Sequence, residues 1–217
     1  MNGRYHHLGD LPASLPVFPL TGILLLPRGA LPLNIFEPRY LALVDAALAG
    51  SRLIGVIQPA EHEDMILKPK LSRTGCAGRI VSYRETEDNR YLITLEGICR
   101  FHVAAELPVD TAFRQVETDF SPYAGDLTGT DEETGFPRER LLDALKAYLN
   151  HREMKADWRS VVSAPAEALV NALAMMCPFE PAEKQALLEA PGWVERVSTL
   201  VALLEMAGPD SGAPTIN

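Results

Sequence analysis

The side chains best suited to chemistry are three cysteines, one histidine–carboxylate run and a short aromatic and charged stretch. Cys76, Cys99 and Cys177 are far apart and have no C-x-x-C spacing. That argues against both a zinc site and a disulfide framework. Cys76 or Cys99 meeting His102 in space would make a thiol–imidazole pair. Each cysteine, however, lies in an apolar segment, where it reads as a small buried hydrophobe. Glu61–Asp64, EHED, gathers carboxylates around His62. No second histidine follows four residues on, so the zinc-protease motif is absent, and a solvated acidic loop is the plainer reading. His6-His7 lacks further ligands. No metal, cofactor or catalytic residue is assigned. There is no G-x-S-x-G to suggest a nucleophile elbow. No glycine is followed by lysine, which removes the phosphate loop G-x-x-x-x-G-K-[ST].

What is left is recognition. Phe36, Tyr40 and Tyr83 are candidates to line a peptide-binding groove, because aromatic rings offer apolar area with a polar edge. Glu37 and Arg39 are candidates for polar contacts at its rim. The plainer roles are core packing for Phe36 and Tyr40, and bracing of a helix start for Glu37 and Arg39.

These residues must be positioned by elements that the sequence also marks. Leu15–Tyr40 holds three apolar runs, Val17–Leu20, Ile23–Leu26 and Leu31–Phe36, punctuated by prolines that forbid a long helix. The runs read as short buried strands, with Pro19 and Pro32 at strand ends or on an edge. Pro27-Arg28-Gly29 reads as a turn, with glycine free to take positive φ. Glu37–Ala49 is a helix with Pro38 in its first turn and Gly50 just past its end. Tyr40, Leu41, Val44 and Leu48 would form its buried face. Leu53–Ile57 is a strand. Gly75–Tyr83 and Arg90–Glu96 form a hairpin about Glu85–Asn89, and Gly97 bends the strand before Ile98–Val103 resumes it. Arg114–Phe120 alternates once more. Residues 121–137 hold glycines, prolines and carboxylates without a basic residue and read as a linker. Four helices follow, and the pair Met175-Met176 reads as core filling.

The chain has 217 residues and a net charge of −9, with 47% apolar and 23% charged residues. That is enough for one large lobe or two small ones. The acidic balance repels phosphate backbones, so no nucleic acid is expected as a partner. Lys68-Pro-Lys70 is the nearest thing to a basic run and reads as a solvated loop. Neither a signal peptide nor a membrane span is expected. The start, MNGRYHHLGDLPAS, has no basic region joined to an apolar core, and Leu15–Leu26 is short and broken by prolines. Unpaired cysteines point to a reducing, cytoplasmic setting.

Three stretches in the right order resemble one family. L-P-V-x-P-L from Leu15, the P-x-G turn and F-E-P-R-Y are similar to the amino-terminal domain of Lon proteases, most closely its free-standing versions. Gly75 to Ile80, followed by Glu96-Gly97-Ile98-Cys99-Arg100, resembles the family's hairpin. Leu173–Pro178, P-x-E-K-Q-x-L-L-E at Pro181–Glu189, and Glu195-Arg196 resemble its last helices. The likeness runs from about Leu15 to Glu205.

It implies an α+β fold, with a β-rich, PUA-like pseudo-barrel lobe followed by a C-terminal four-helix lobe. The expected plan is a flexible start (1–14), a β lobe with an inserted helix (15–120), an acidic linker (121–137), a helical lobe (138–207) and a flexible tail (208–217). It also implies a non-enzymatic module, without ATPase or serine–lysine protease parts, that binds unfolded or tagged polypeptide or a protein partner. Two alternatives stay open. One is a hydrolase using an inter-lobe cleft, which an ordered anion or metal on Glu61, His62 or Glu63 would favour. The other is RNA binding by PUA-like analogy, which fold likeness alone does not warrant.

Overall fold

The computed structural model describes residues 5–60, 68–128 and 136–207. The Glu61–Asp64 run therefore lies outside the described residues, as do the expected tail and the middle of the acidic linker. The chain divides into two compact units. One is Met1–Gly129 with Phe179–Leu188; the other is Thr130–Pro178 with Glu189–Asn217.

The first unit contains strands β1 (Ser14–Pro19), β2 (Ala30–Ile35), β3 (Leu53–Pro59), β4 (Leu71–Glu85), β5 (Tyr91–Glu106) and β6 (Arg114–Asp119), with helix α1 (Pro38–Ala49) between β2 and β3. The strand order is β2-β5-β4-β3-β1-β6, and β6 also pairs with β5. That last pairing closes β1, β3, β4, β5 and β6 into a five-stranded barrel. β5 is long enough to serve twice. Its Tyr91–Glu96 half pairs with β2, and its His102–Glu106 half pairs with β6. β1 and β3 are parallel. Parallel neighbours need a long crossover, and here the crossover carries β2 and α1.

The barrel interior is filled by Phe101, which is fully buried among Leu15, Val17, Leu53, Ile57, Val116 and Phe120. Burying such a ring contributes about 2–3 kcal/mol. Gly75 makes room for it: a Cβ there would lie 2.7 Å from the Phe101 ring. The amino-terminal residues, expected to be loosely attached, contribute as well. Leu11 joins this core, and Thr118 donates to the carbonyls of Pro12 and Ala13 at 3.0 and 2.9 Å.

Three local readings need correction. Ile23–Leu26 is not a strand; Leu24–Leu26 are buried in irregular backbone. The reason is Gly97, where the predicted bend appears as a bulge: Ala77 faces Cys99 while Gly78 faces Gly97. Leu26 crosses the sheet there so closely that a Cβ on residue 97 would lie 2.0 Å from its carbonyl oxygen. The turn that follows takes its positive φ at Arg28 (63°), not at Gly29. Gly29 N–H donates to the Leu26 carbonyl at 2.9 Å, so Pro27 and Arg28 are the central pair, as in a type II turn. Arg28 is held by its own N–H on the Gly97 carbonyl (2.8 Å) and by its guanidinium on the Asp126 carbonyl (2.7 Å). On α1 the buried face is Tyr40, Leu43, Val44 and Ala47; Leu41 and Leu48 are only half-buried.

The expected linker begins as a packed 3-10 segment, Ser121–Leu127, with Tyr123 and Asp126 buried. Asp126 forms an ion pair with buried Arg100, which also donates to the Leu188 carbonyl at 2.9 Å. Leu188 belongs to helix α5 (Pro181–Glu189). Through Leu188, α5 is grouped with the barrel rather than with the expected helical lobe. Gln58, buried on β3, secures the same helix. Its amide donates to the Pro181 carbonyl and to Gln185, both at 3.0 Å, and Gln185 donates to the Thr74 carbonyl at 3.2 Å.

The second unit consists of α2 (Arg138–His151), α3 (Trp158–Ser163), α4 (Ala166–Met176) and α6 (Trp193–Met206). Leu141, Leu145, Tyr148 and Leu149 of α2 and Val197, Leu200, Val201 and Leu204 of α6 are buried, and the two helices pack together. Arg140 and Glu205 bridge their exposed sides at 2.8 Å. α3 carries no buried residue and was not foreseen; Met176, expected in the core, is exposed.

Gly97→Ala should destabilise the protein by about 3 kcal/mol, because the added carbon meets backbone that cannot move aside. Asp126→Ala should cost about 3–5 kcal/mol by leaving the Arg100 charge buried and unpaired. Urea unfolding of each variant checks both values.

Candidate functional site

The candidate residues gather around the end of the sheet where β2, β5 and β4 run together, but they do not form one surface. Gly97 N–H donates to the Gly29 carbonyl at 2.9 Å. With the register Ala30↔Glu96 to Ile35↔Tyr91, that bond fixes which backbone groups of β2 face β5. Those of Leu31, Leu33 and Ile35 point inward, and those of Ala30, Pro32 and Asn34 point to the free edge. Pro32 therefore places its missing N–H on the open side of an edge strand, where proline is tolerated.

Extending the register by one residue sets Phe36 opposite Arg90. The Arg90 guanidinium lies 5.7 Å from the Phe36 ring centroid and is paired with Asp88 at 2.8 Å. Phe36 is 61% exposed. Tyr83 is 41% exposed and sits opposite Ile93, one residue out of phase with this face. It meets Tyr91 edge-on at 5.1 Å. Strand alternation thus puts Phe36 and Tyr83 on opposite faces of the sheet end. Desolvation, then hydrogen bonds with Asp45 of α1 and with Tyr83, push the Tyr91 hydroxyl up to about 12, so it stays a neutral donor. Arg90, Tyr91 and Asp45 were absent from the sequence-based set. The pairing of β2 with β5 that reveals them leaves no local sequence signal.

The other three candidates occupy the start of α1. Glu37 is the N-cap, but its side chain makes no cap bond. Its carboxylate instead takes Arg39 at 2.8 Å. Arg39 also lies over the Tyr40 ring at 4.4 Å. Tyr40 is buried against Phe18, ring centroids 4.1 Å apart, and burial raises its pKa. Tyr40 is a core residue, while Glu37 and Arg39 form a surface pair beside it.

The cysteines and His102 are engaged in packing and hydrogen bonds. None of the three cysteines forms a disulfide, and all are buried. Burial, with the nearby Asp126 charge, pushes the Cys99 thiol up to about 12. Its sulfur contacts the carbonyls of Arg100 and Tyr123 at 3.3 and 3.4 Å. His102 is within 3.2 Å of the Tyr123 hydroxyl. Among the described residues no group of three His, Cys, Asp or Glu side chains is placed to hold a metal ion.

A family model, the ATP-dependent protease La (LON) substrate-binding domain, matches residues 14–206. Lon protease of Anaeromyxobacter dehalogenans is 32% identical over 96 residues, covering 43% of this chain and 11% of that protein. Lon protease of Parabacteroides distasonis is 29% identical over 206 residues, covering 88% of this chain and 24% of that protein. The chain thus spans about a tenth to a quarter of the length of these relatives. Among solved structures, the N-terminal domain of Mycobacterium avium complex Lon protease superimposes with a TM-score of 0.64 at 23% identity, covering 88% of this chain and 97% of that one. At that identity the likeness speaks for the fold alone. A Lon N-terminal domain protein from Xanthomonas campestris gives 0.59 at 25% identity, covering 87% and 97%.

Iodoacetamide at pH 8 should leave the native protein's thiols unmodified. A Cys99 pKa of about 12 leaves a thiolate fraction on the order of 10⁻⁴, and the chain's other thiols are buried too. Mass spectrometry should show three modifications only after denaturation.

Proposed function

Because the chain belongs to the Lon protease substrate-binding domain family, we propose that it acts as a non-enzymatic recognition module for unfolded or tagged polypeptide. The observation that carries this reading is Phe36. A large aromatic side chain stands in solvent beside the free edge of β2, its ring next to the Arg90 guanidinium. Seating that ring against a client's apolar side chain would contribute about 2 kcal/mol. The Asn34 N–H and the carbonyls of Pro32 and Asn34 face the same edge and offer main-chain hydrogen bonds to an extended segment. Glu37 and Arg39 flank the site as a polar rim. Tyr83, on the other face, is a separate contact point, and Tyr40 supports α1 from beneath.

Absence of catalysis is part of the proposal. Cys99 is held as a thiol, and His102 is engaged with Tyr123. Arg39, Arg90, Arg100 and Arg114 each pair with a carboxylate, which weakens the RNA-binding alternative. Glu61, His62 and Glu63, where a bound anion or metal would favour the hydrolase alternative, lie outside the described residues. Among the described residues no helix is long and apolar enough to cross a membrane. Buried thiols outside any disulfide suit the reducing cytoplasm included in this reading.

Fluorescence anisotropy with a labelled, reduced and carboxymethylated protein as client tests the proposal. Saturable binding is expected, weakened about tenfold by Phe36→Ala. Since Phe36 is exposed, the substitution should leave the unfolding midpoint nearly unchanged. Equal binding by wild type and Phe36→Ala would remove Phe36 from the site, and no binding by either would end the recognition reading.

A further inference from the structure

The face of the β4–β5 hairpin turned away from Phe36 carries a second exposed ring. Strand alternation places Tyr83 and Glu85 of β4 on this face together with Tyr91 of β5. Thr86 N–H donates to the Arg90 carbonyl at 2.9 Å. Glu85 and Tyr91, the next pair in register, therefore form the narrow, unbonded kind of pair whose side chains approach closely. Tyr83 is diagonal to Tyr91, and their rings meet at 66° with centroids 5.1 Å apart. The Tyr91 hydroxyl holds Asp45, an exposed residue of α1, beside the ring pair by a hydrogen bond. Two rings at a steep angle and two carboxylates thus reach one corner from three elements, and Tyr83 is 41% exposed there.

The charges at this corner have one sign. Among the described residues neither Asp45 nor Glu85 belongs to an ion pair. Arg84 alternates to the Phe36 face, where Arg90 pairs with Asp88. Arg39 is taken by Glu37. Arg52 follows α1 and sits by Ile80, whose N–H donates to its carbonyl at 2.9 Å. On α1, the residues three and four positions from Asp45 are Leu41, Ala42, Leu48 and Ala49, none of them charged. Other rings of the chain are supplied from within. Arginine guanidinium groups lie 4.2–5.8 Å from the ring centroids of Phe36, Tyr40, Tyr123, Phe136 and Tyr148. Among the described residues no guanidinium lies over Tyr83 or Tyr91. An aromatic face is negative, so rings and carboxylates here ask for the same thing, a cation.

We propose that the corner of Tyr83 and Tyr91, edged by Asp45 and Glu85, seats an arginine side chain of an extended polypeptide. The planar guanidinium stacks on the exposed Tyr83 ring and donates its fork of N–H groups to the carboxylates. A second copy of this chain seated symmetrically would bring Asp45 and Glu85 against their counterparts, which opposes a dimer through this face. A metal ion would find only two carboxylates, because the Tyr91 hydroxyl keeps its proton for Asp45. The inference deepens the recognition reading and rests on it for the polypeptide nature of the occupant: apolar side chains are held at Phe36, and arginine on the opposite face.

Nuclear magnetic resonance of the full chain with isotope-labelled tyrosine tests this. The six tyrosines are sorted with Tyr83→Phe and Tyr91→Phe. The probes are two short glycine–serine peptides, one with a central arginine and one with citrulline, its uncharged isostere. Neither carries an apolar side chain for Phe36 to hold. The arginine peptide should move the Tyr83 ring signals and saturate, and the citrulline peptide should leave them in place. Asp45→Asn with Glu85→Gln should weaken the arginine peptide about tenfold, and added salt should weaken it progressively. Both positions are exposed, and asparagine still accepts from Tyr91, so thermal unfolding should stay nearly unchanged. Phe36→Ala should not alter this titration. Failure of the Phe36 site and failure of this one are thereby told apart. No response or an equal response to the two peptides, indifference to the carboxylate substitutions, displacement of the peptide by calcium chloride, or tighter binding of free arginine amide than of the peptide would each overturn the proposal.

Discussion

One buried ion pair determines how the first unit is assembled. Moving the Arg100 guanidinium and the Asp126 carboxylate out of water costs several kcal/mol per ion. The cost is offset only if nearly every donor finds an acceptor in good geometry. Here Nε and Nη2 of Arg100 donate to the two carboxylate oxygens at 2.9 Å each, and the Arg100 backbone N–H donates to Oδ2 at 3.0 Å. Nη1 takes the Leu188 carbonyl, and the Tyr123 ring lies 4.2 Å from the guanidinium. These partners come from β5, from the 3-10 segment after β6, and from α5, which lies beyond three further helices in sequence. A compact alternative that misplaces any one of them leaves a charge or a donor unsatisfied. The pair therefore excludes other arrangements more than it adds stability.

The division of β5 depends on the same constraint. Arg100 sits just past the Gly97 bulge, between the half that pairs with β2 and the half that pairs with β6. On its barrel side the strand is fixed by Phe101 in the core, by His102 against Tyr123, and by Arg100 itself. On the β2 side it is covered by one edge strand whose proline denies a full hydrogen-bond ladder to a newcomer. A strand held firmly at one end can support, through β2, the exposed Phe36 ring beside its other end. Rigid support beneath a contact residue reduces the ordering cost of binding.

How much was legible follows from the range of each signal. Strands with alternating side chains, the Gly97 bend, Pro38 at a helix start, the apolar periodicity of α2, α4 and α6 and the prolines that bound α5 are local patterns, and the structure has them. Ile23–Leu26 has strand composition but no strand partner; Gly97 gives it a crossing instead, and that relation spans seventy residues. Arg28 rather than Gly29 takes the left-handed conformation because two distant carbonyls hold it there. Asp126 looked like one more carboxylate in an acidic stretch, since nothing near it announces Arg100. α5 reads correctly as a helix, but a helix does not encode which unit it joins. Of the candidate site, Phe36 and Tyr83 are exposed as a contact surface requires. That they face opposite ways depends on β2 pairing with β5, and no single-strand pattern carries this.

Several chemistry-bearing side chains of the first unit serve to hold it together: Cys99 as a packed thiol, His102 on Tyr123, Arg100 on Asp126, Gln58 on α5. Contact through one ring is necessarily weak. About 2 kcal/mol from Phe36, supplemented by a few edge hydrogen bonds of about 1 kcal/mol each, is largely offset by the freedom a flexible client loses. For the proposed client binding the outcome would be transient association, with discrimination coming from how many apolar side chains a client exposes. A folded protein hides those side chains and finds little to hold on to, whereas an unfolded one offers them repeatedly along its length.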